Sequence, residues 1–98
     1  MRVVLTEAAR VDLFDAIEWY ERHSEGTADR FVAEYRRVRS LVAESPERWP
    51  RIEPTAHHFV FRDFPYSLVY TVAEDLVMVL AVKHHSRAPE YWLARRRR

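Results

Sequence analysis

The chain has 98 residues, of which 48% are hydrophobic, with a formal net charge of +1 and no cysteine. A chain of that size fits one domain, expected to span residues 1–98. Without cysteine there is no disulfide framework, no thiol nucleophile and no thiolate metal site.

Met1-Arg2-Val3-Val4-Leu5-Thr6-Glu7 lacks the apolar stretch of a signal peptide and soon meets charge. No later run approaches the roughly 20 apolar residues of a membrane helix. A cytoplasmic protein is expected. Val3-Val4-Leu5 predicts a short strand, with Thr6 as N-cap of a helix and Glu7 in its first turn, where the helix dipole favours an acid. From Glu7 to about His23, Ala9, Leu13, Ala16, Ile17 and Tyr20 recur at three- and four-residue steps. Asp12, Asp15, Glu18, Glu21 and Arg22 fall largely elsewhere, and Glu18 and Arg22 are set for an i,i+4 pair. The acids Asp12, Asp15 and Glu18 are explained by a solvated helix face.

Gly26, the only glycine, falls where this helix must stop, because it adopts the left-handed conformation cheaply. Thr27 is expected to cap a second helix over Ala28 to about Glu44, with the stripe Phe31, Val32, Tyr35, Val38, Leu41 and Val42. The short connection makes the two helices antiparallel neighbours. Ser45-Pro46 ends the second helix, since the residue before proline is pushed out of the α region. Residues 46–54 hold three prolines and predict an extended connector, pinned by Trp49.

His57 to Arg62 alternates like a strand, with His57 and His58 expected as ordinary edge or surface residues. Pro65 cannot donate to a ladder and marks a bulge or break. The stretch from Arg62 to Val72 and the run from Leu76 to Val82 predict a hairpin turning at Ala73-Glu74-Asp75. Both faces of the second run are apolar: Leu76, Met78, Leu80 and Val82 on one, Val77, Val79 and Ala81 on the other. The helical hairpin covers one face, so the tail around Tyr91 and Trp92, or a partner, must cover the other.

Charge is unevenly placed. From residue 84 onward, Arg87 and Arg95 to Arg98 stand against Glu90 alone, a balance of +4 that leaves −3 for the rest. Such a tail either contacts an anionic partner or is a solvated, frayed end. Arg87 and Tyr91 are four apart with His85 nearby. A guanidinium, an imidazole and a phenol could together cleave RNA, by activating a 2′-hydroxyl and stabilising the phosphorane. Alternatively, Tyr91 and Trp92 pack on the sheet and Arg87 binds a carboxylate. His57, His58, His84 and His85 supply too few ligands on any one face for a metal. No metal or cofactor is expected.

These residues resemble the RelE/ParE superfamily of toxins from type II toxin–antitoxin modules. The likeness runs through Leu5-Thr6-Glu7-Ala8-Ala9 with Asp12-Leu13, Trp19-Tyr20-Glu21, Arg30-Phe31, Ser45-Pro46 with Trp49-Pro50, Arg62 to Tyr70, and His84 to Trp92. It implies an α+β fold: an N-terminal strand, an antiparallel helical hairpin, then a mainly antiparallel sheet with a short C-terminal tail or helix. It also implies a cognate antitoxin whose C-terminal segment wraps the toxin.

On mechanism the resemblance divides. Ribosome-dependent nucleases of the superfamily use basic residues on the sheet, including an arginine just before the Leu-Val-Tyr of the hairpin, where this chain has Ser67. Their tail carries two arginines and a tyrosine, matched here by His85, Arg87 and Tyr91. The Phe64-Pro65-Tyr66 step and the ending from His84 to Trp92 resemble the ParE-type branch, which is associated with poisoning DNA gyrase. His57-His58 stands where many relatives of that branch carry arginines. The expectation is a ParE-like toxin that binds gyrase, with target or antitoxin contacts at Arg62, Tyr66, His84, His85, Arg87, Tyr91 and Trp92. The alternatives are a nuclease acting on ribosome-bound mRNA through His85, Arg87 and Tyr91, and a degenerate toxin that only binds its antitoxin.

Overall fold

Local sequence signals become elements in a computed structural model that describes residues 1–88 and 91–96. The β-prone start forms β1 (Arg2–Leu5). The Thr6 hydroxyl accepts from the Ala9 N–H at 3.1 Å and so caps α1 (Glu7–His23). Gly26, at φ 78, is itself the N-cap of α2 (Thr27–Glu44), and no side chain caps that helix. The expected cap, Thr27, is instead the first helical residue. Its hydroxyl bonds the Ser24 hydroxyl and accepts from Arg30, bracing the turn between helices.

The connector turns at residues 46–49 before it extends. Arg51–Glu53 forms a short edge strand, β2, paired antiparallel with β3 (Ala56–Val60). Trp49 packs against the core, its ring 4.4 Å from that of Phe59, as the pinning role requires. The step at residues 61–65, with Asp63 at φ 62, breaks the chain between β3 and β4 (Tyr66–Ala73). A tight turn at Glu74 and Asp75 then leads into β5 (Leu76–His84), and the last described element is one turn of helix, α3 (Leu93–Arg96). The sheet order is β1-β5-β4-β3-β2, with β1 parallel to β5 and every other pair antiparallel.

The helical hairpin lies on one sheet face, enclosing Ala9, Ala16, Phe31, Val38, Val42, Leu68, Tyr70, Val77, Val79 and Val82. On the opposite face Trp92, 4% exposed, covers Ala56, Val69, Leu80 and Ala81. The doubly apolar β5 strand is thus covered on both sides, and the tail does part of that work.

The side-chain assignment on β5 differs from simple alternation. Val69 pairs with Ala81 but Tyr70 pairs with Val79, so Leu80 is an extra residue in a β-bulge. A bulge shifts the side-chain parity of the residues beyond it. Val82 therefore joins Val77 and Val79 on the helix face, whereas Leu80 and Ala81 both face Trp92. Among the described residues, no helix is long and apolar enough to cross a membrane.

Candidate functional site: a groove between α1 and the end of β5

The bulge decides which of the paired histidines faces which way. Tyr66 and His84, directly paired across the strands, lie on the helix side with their rings 5.0 Å apart, edge to face. Here a groove of about 890 Å³ opens between α1 and the tail, with Asp12, Asp15, Trp19, Tyr66, His84, Arg87 and Tyr91 on its walls. His85 is elsewhere. Its Nε2 lies 3.0 Å from the Ser67 hydroxyl, and Ser67 shares the opposite face with His58, Lys83 and Trp92. Burial, then the charges of His85 and Lys83, pushes the His58 pKa down.

The residues named from sequence are therefore divided among separate places. Tyr66, His84, Arg87 and Tyr91 come together in the groove. His85 and Trp92 belong to the other sheet face. Arg62 is exposed and lines a third surface beside Arg30 and Arg37, where its backbone N–H donates to Glu34 at 2.6 Å. Pro89 and Glu90 of the tail motif, and Arg97 and Arg98 of the terminal run, lie outside the described residues.

Asp12 is the residue that sequence reasoning missed. Its carboxylate, 10% exposed, accepts from Arg95 Nη1 at 2.6 Å and Nη2 at 3.0 Å, and from the Tyr91 hydroxyl at 3.0 Å. It also accepts the Val82 N–H at 3.1 Å, while Arg95 donates to the Leu80 carbonyl at 3.1 Å. β1 ends its pairing at Leu5 opposite Val79. Beyond that point, the backbone groups of β5 are satisfied by this ion pair in place of a strand. The available signal was position on the helix: Asp12 sits three after Ala9 and four before Ala16, small apolar residues that are both buried. Arg95 is thus no frayed end.

The network fixes the chemistry of Tyr91. Burial first, and then the Asp12 charge, raises its pKa, and the phenol already donates to Asp12. Arg87 lies over the Tyr91 ring with its guanidinium carbon 5.0 Å from the centroid. Arg87 and Tyr91 are thus together, but His85 is not with them.

His57 corrects another expectation. It is 2% exposed, stacked on Tyr70 with centroids 5.2 Å apart. Its Nδ1 lies 2.7 Å from the Trp49 carbonyl and its Nε2 lies 3.2 Å from Glu47. It ties the connector to the sheet and is a core histidine rather than a surface one. The Tyr70 hydroxyl reinforces this by donating to the Pro46 carbonyl at 2.7 Å.

The helical hairpin on one face of a sheet with a single parallel edge strand is a fold shared by two solved structures. One is described as the chromosomal ParDE TA system from P. aeruginosa, at TM-score 0.73 and 18% identity, covering 86% of this chain and 95% of that one. The other is the isolated E. coli RelE toxin, at TM-score 0.58 and 23% identity, covering 98% of this chain and 96% of that one. Among curated proteins, no sequence matches this chain. The family model described as "ParE toxin of type II toxin-antitoxin system, parDE" matches residues 3–89, and the chain belongs to that family. It is a ParE-like toxin of a type II toxin–antitoxin system.

Proposed function

We propose that residues 1–98 act as one cytoplasmic toxin domain that inhibits growth by binding DNA gyrase and is neutralised by a cognate antitoxin. The observation that carries this reading is the separation of His85 from Arg87 and Tyr91 by the sheet, with the Tyr91 phenol already engaged by Asp12. A general base and a phosphate-binding cation must converge on one reacting centre to cleave RNA. His85 does not converge with Arg87 and Tyr91 here. What does converge is a groove of aromatic rings beside Arg87 and His84, an arrangement suited to anchoring a protein segment. The P. aeruginosa ParDE TA system, similar in fold, supports an antitoxin as a partner of this chain.

Tyr66, His84, Arg87 and Tyr91 are assigned to target or antitoxin contact within the groove. Arg62, His85 and Trp92 contribute to such contacts only where a wrapping segment continues around the sheet. The test is a translation reaction with the purified chain: mRNA in the ribosomal A site is expected to stay intact. Site-specific cleavage that disappears in Arg87→Ala would overturn the reading in favour of the nuclease.

A further inference from the structure

The outer face of α1 carries large apolar side chains that the core leaves uncovered. Phe14 is 60% exposed, Trp19 54% and Val11 49%. Val11, Asp15 and Trp19 form one i,i+4 row, with Phe14 and Glu18 in the row beside it. Clustered exposed hydrophobics of this kind mark interaction surfaces, whereas single ones do not. Trp19 is also held in place. Its indole stacks on His23 at 4.2 Å and 13°, and the His23 Nδ1 lies 2.7 Å from the Trp19 carbonyl. A ring already fixed loses little freedom on binding, which makes it an effective anchor.

The surrounding charge is acidic. Across α1 five acids face two arginines, and Arg95 offsets Asp12, which leaves a balance of −2. Glu18 is paired with Arg22 and Asp12 with Arg95, but Asp15 has no ion pair among the described residues.

We infer that this face docks an amphipathic helix of a partner protein that carries Lys or Arg along its flank. The apolar ridge of that helix covers Val11, Phe14 and Trp19, and a cation on it meets Asp15. Rows at helical spacing accept the ridges of another helix, and the stretch from Val11 to Trp19 is about 12 Å, or two turns. A second copy fits less well, because two α1 faces related by a two-fold axis would set acids against acids. Asp15 and Trp19 also line the groove beside His84 and Arg87, so the docked helix runs along its rim. The inference rests on the reading that a protein partner engages this groove, and adds the chemistry of that partner.

The test uses the full chain and two synthetic helical peptides with the same leucine ridge, one flanked by lysines and one by glutamates. Trp19 fluorescence is the readout, with Trp19→Phe as blank, since Trp92 is buried and Trp49 half-buried. The lysine peptide is expected to shift the Trp19 emission to the blue and to bind at least about tenfold more tightly than the glutamate peptide. Phe14→Ser and Asp15→Asn are each expected to weaken it severalfold with unchanged circular dichroism. Equal binding of both peptides, no effect of either substitution, or self-association of the chain that Phe14→Ser abolishes would overturn the inference. A chain that binds the lysine peptide yet leaves gyrase untouched supports this inference and contradicts the gyrase reading.

Discussion

Asp12 shows how much one side chain can organise. It holds Tyr91, Arg95 and the Val82 N–H together, joining the first helix, the last long strand and the tail. Removing its charge leaves a half-buried guanidinium and a phenol without their acceptor. Asp12→Ala is therefore expected to destabilise the fold by about 2–3 kcal/mol, read from the urea midpoint. The place of Asp12 between Ala9 and Ala16 marks it as inward-facing, but its partners lie about 70 or more positions away, and helical spacing carries no information on them. Glu34 makes a second prediction at the same scale. Hydrogen bonds from Arg37 hold its carboxyl below the usual value of 4.5, with burial opposing and the Arg62 N–H adding to the effect. Its contribution is thus fully present above the unfolded pKa and is lost as pH falls from about 4.5 through the folded value. Glu34→Gln is expected to flatten the acid limb of the stability profile below about pH 4.5, with little change in its slope at neutral pH. A variant that keeps the wild-type acid limb would show that other carboxylates dominate.

At the level of elements, the chain announces most of itself. Thr6 as cap, the 3.6-residue stripes of both helices, the proline at the end of α2 and the β4–β5 hairpin were all legible, because each is set by local propensity. The pairing of Glu18 with Arg22 also forms, at 3.3 Å. Local signals could not reveal the bulge at Leu80, since β5 is apolar on both faces and offers no alternation to fix a register. That single extra residue sends His84 to the groove and His85 to the other sheet face, so the candidate site was legible only as a set of residues. The buried place of His57 was missed for a related reason: its partners Trp49 and Glu47 belong to a connector whose fold-back no periodicity predicts. Gly26 takes the left-handed conformation read from sequence, but as the N-cap of α2, since Ser24 already ends α1. A Cβ there would meet nothing within 4 Å, so the cost of Gly26→Ala comes from φ 78 alone. It is expected to be about 1 kcal/mol in a thermal melt, with Gly26→Asn milder.

For the whole molecule, the helical hairpin and the tail cover opposite faces of one thin sheet, and the groove forms where they meet beyond the end of β1. Its walls combine aromatic rings and His84 with a cation held over Tyr91. These features suit the docking role proposed above. The most direct measurement is gyrase supercoiling of relaxed plasmid in the presence of the purified full chain. Inhibition is expected, weakened severalfold by Arg87→Ala, whose side chain is exposed at the groove. Undiminished supercoiling at toxin concentrations well above that of gyrase would contradict the gyrase reading.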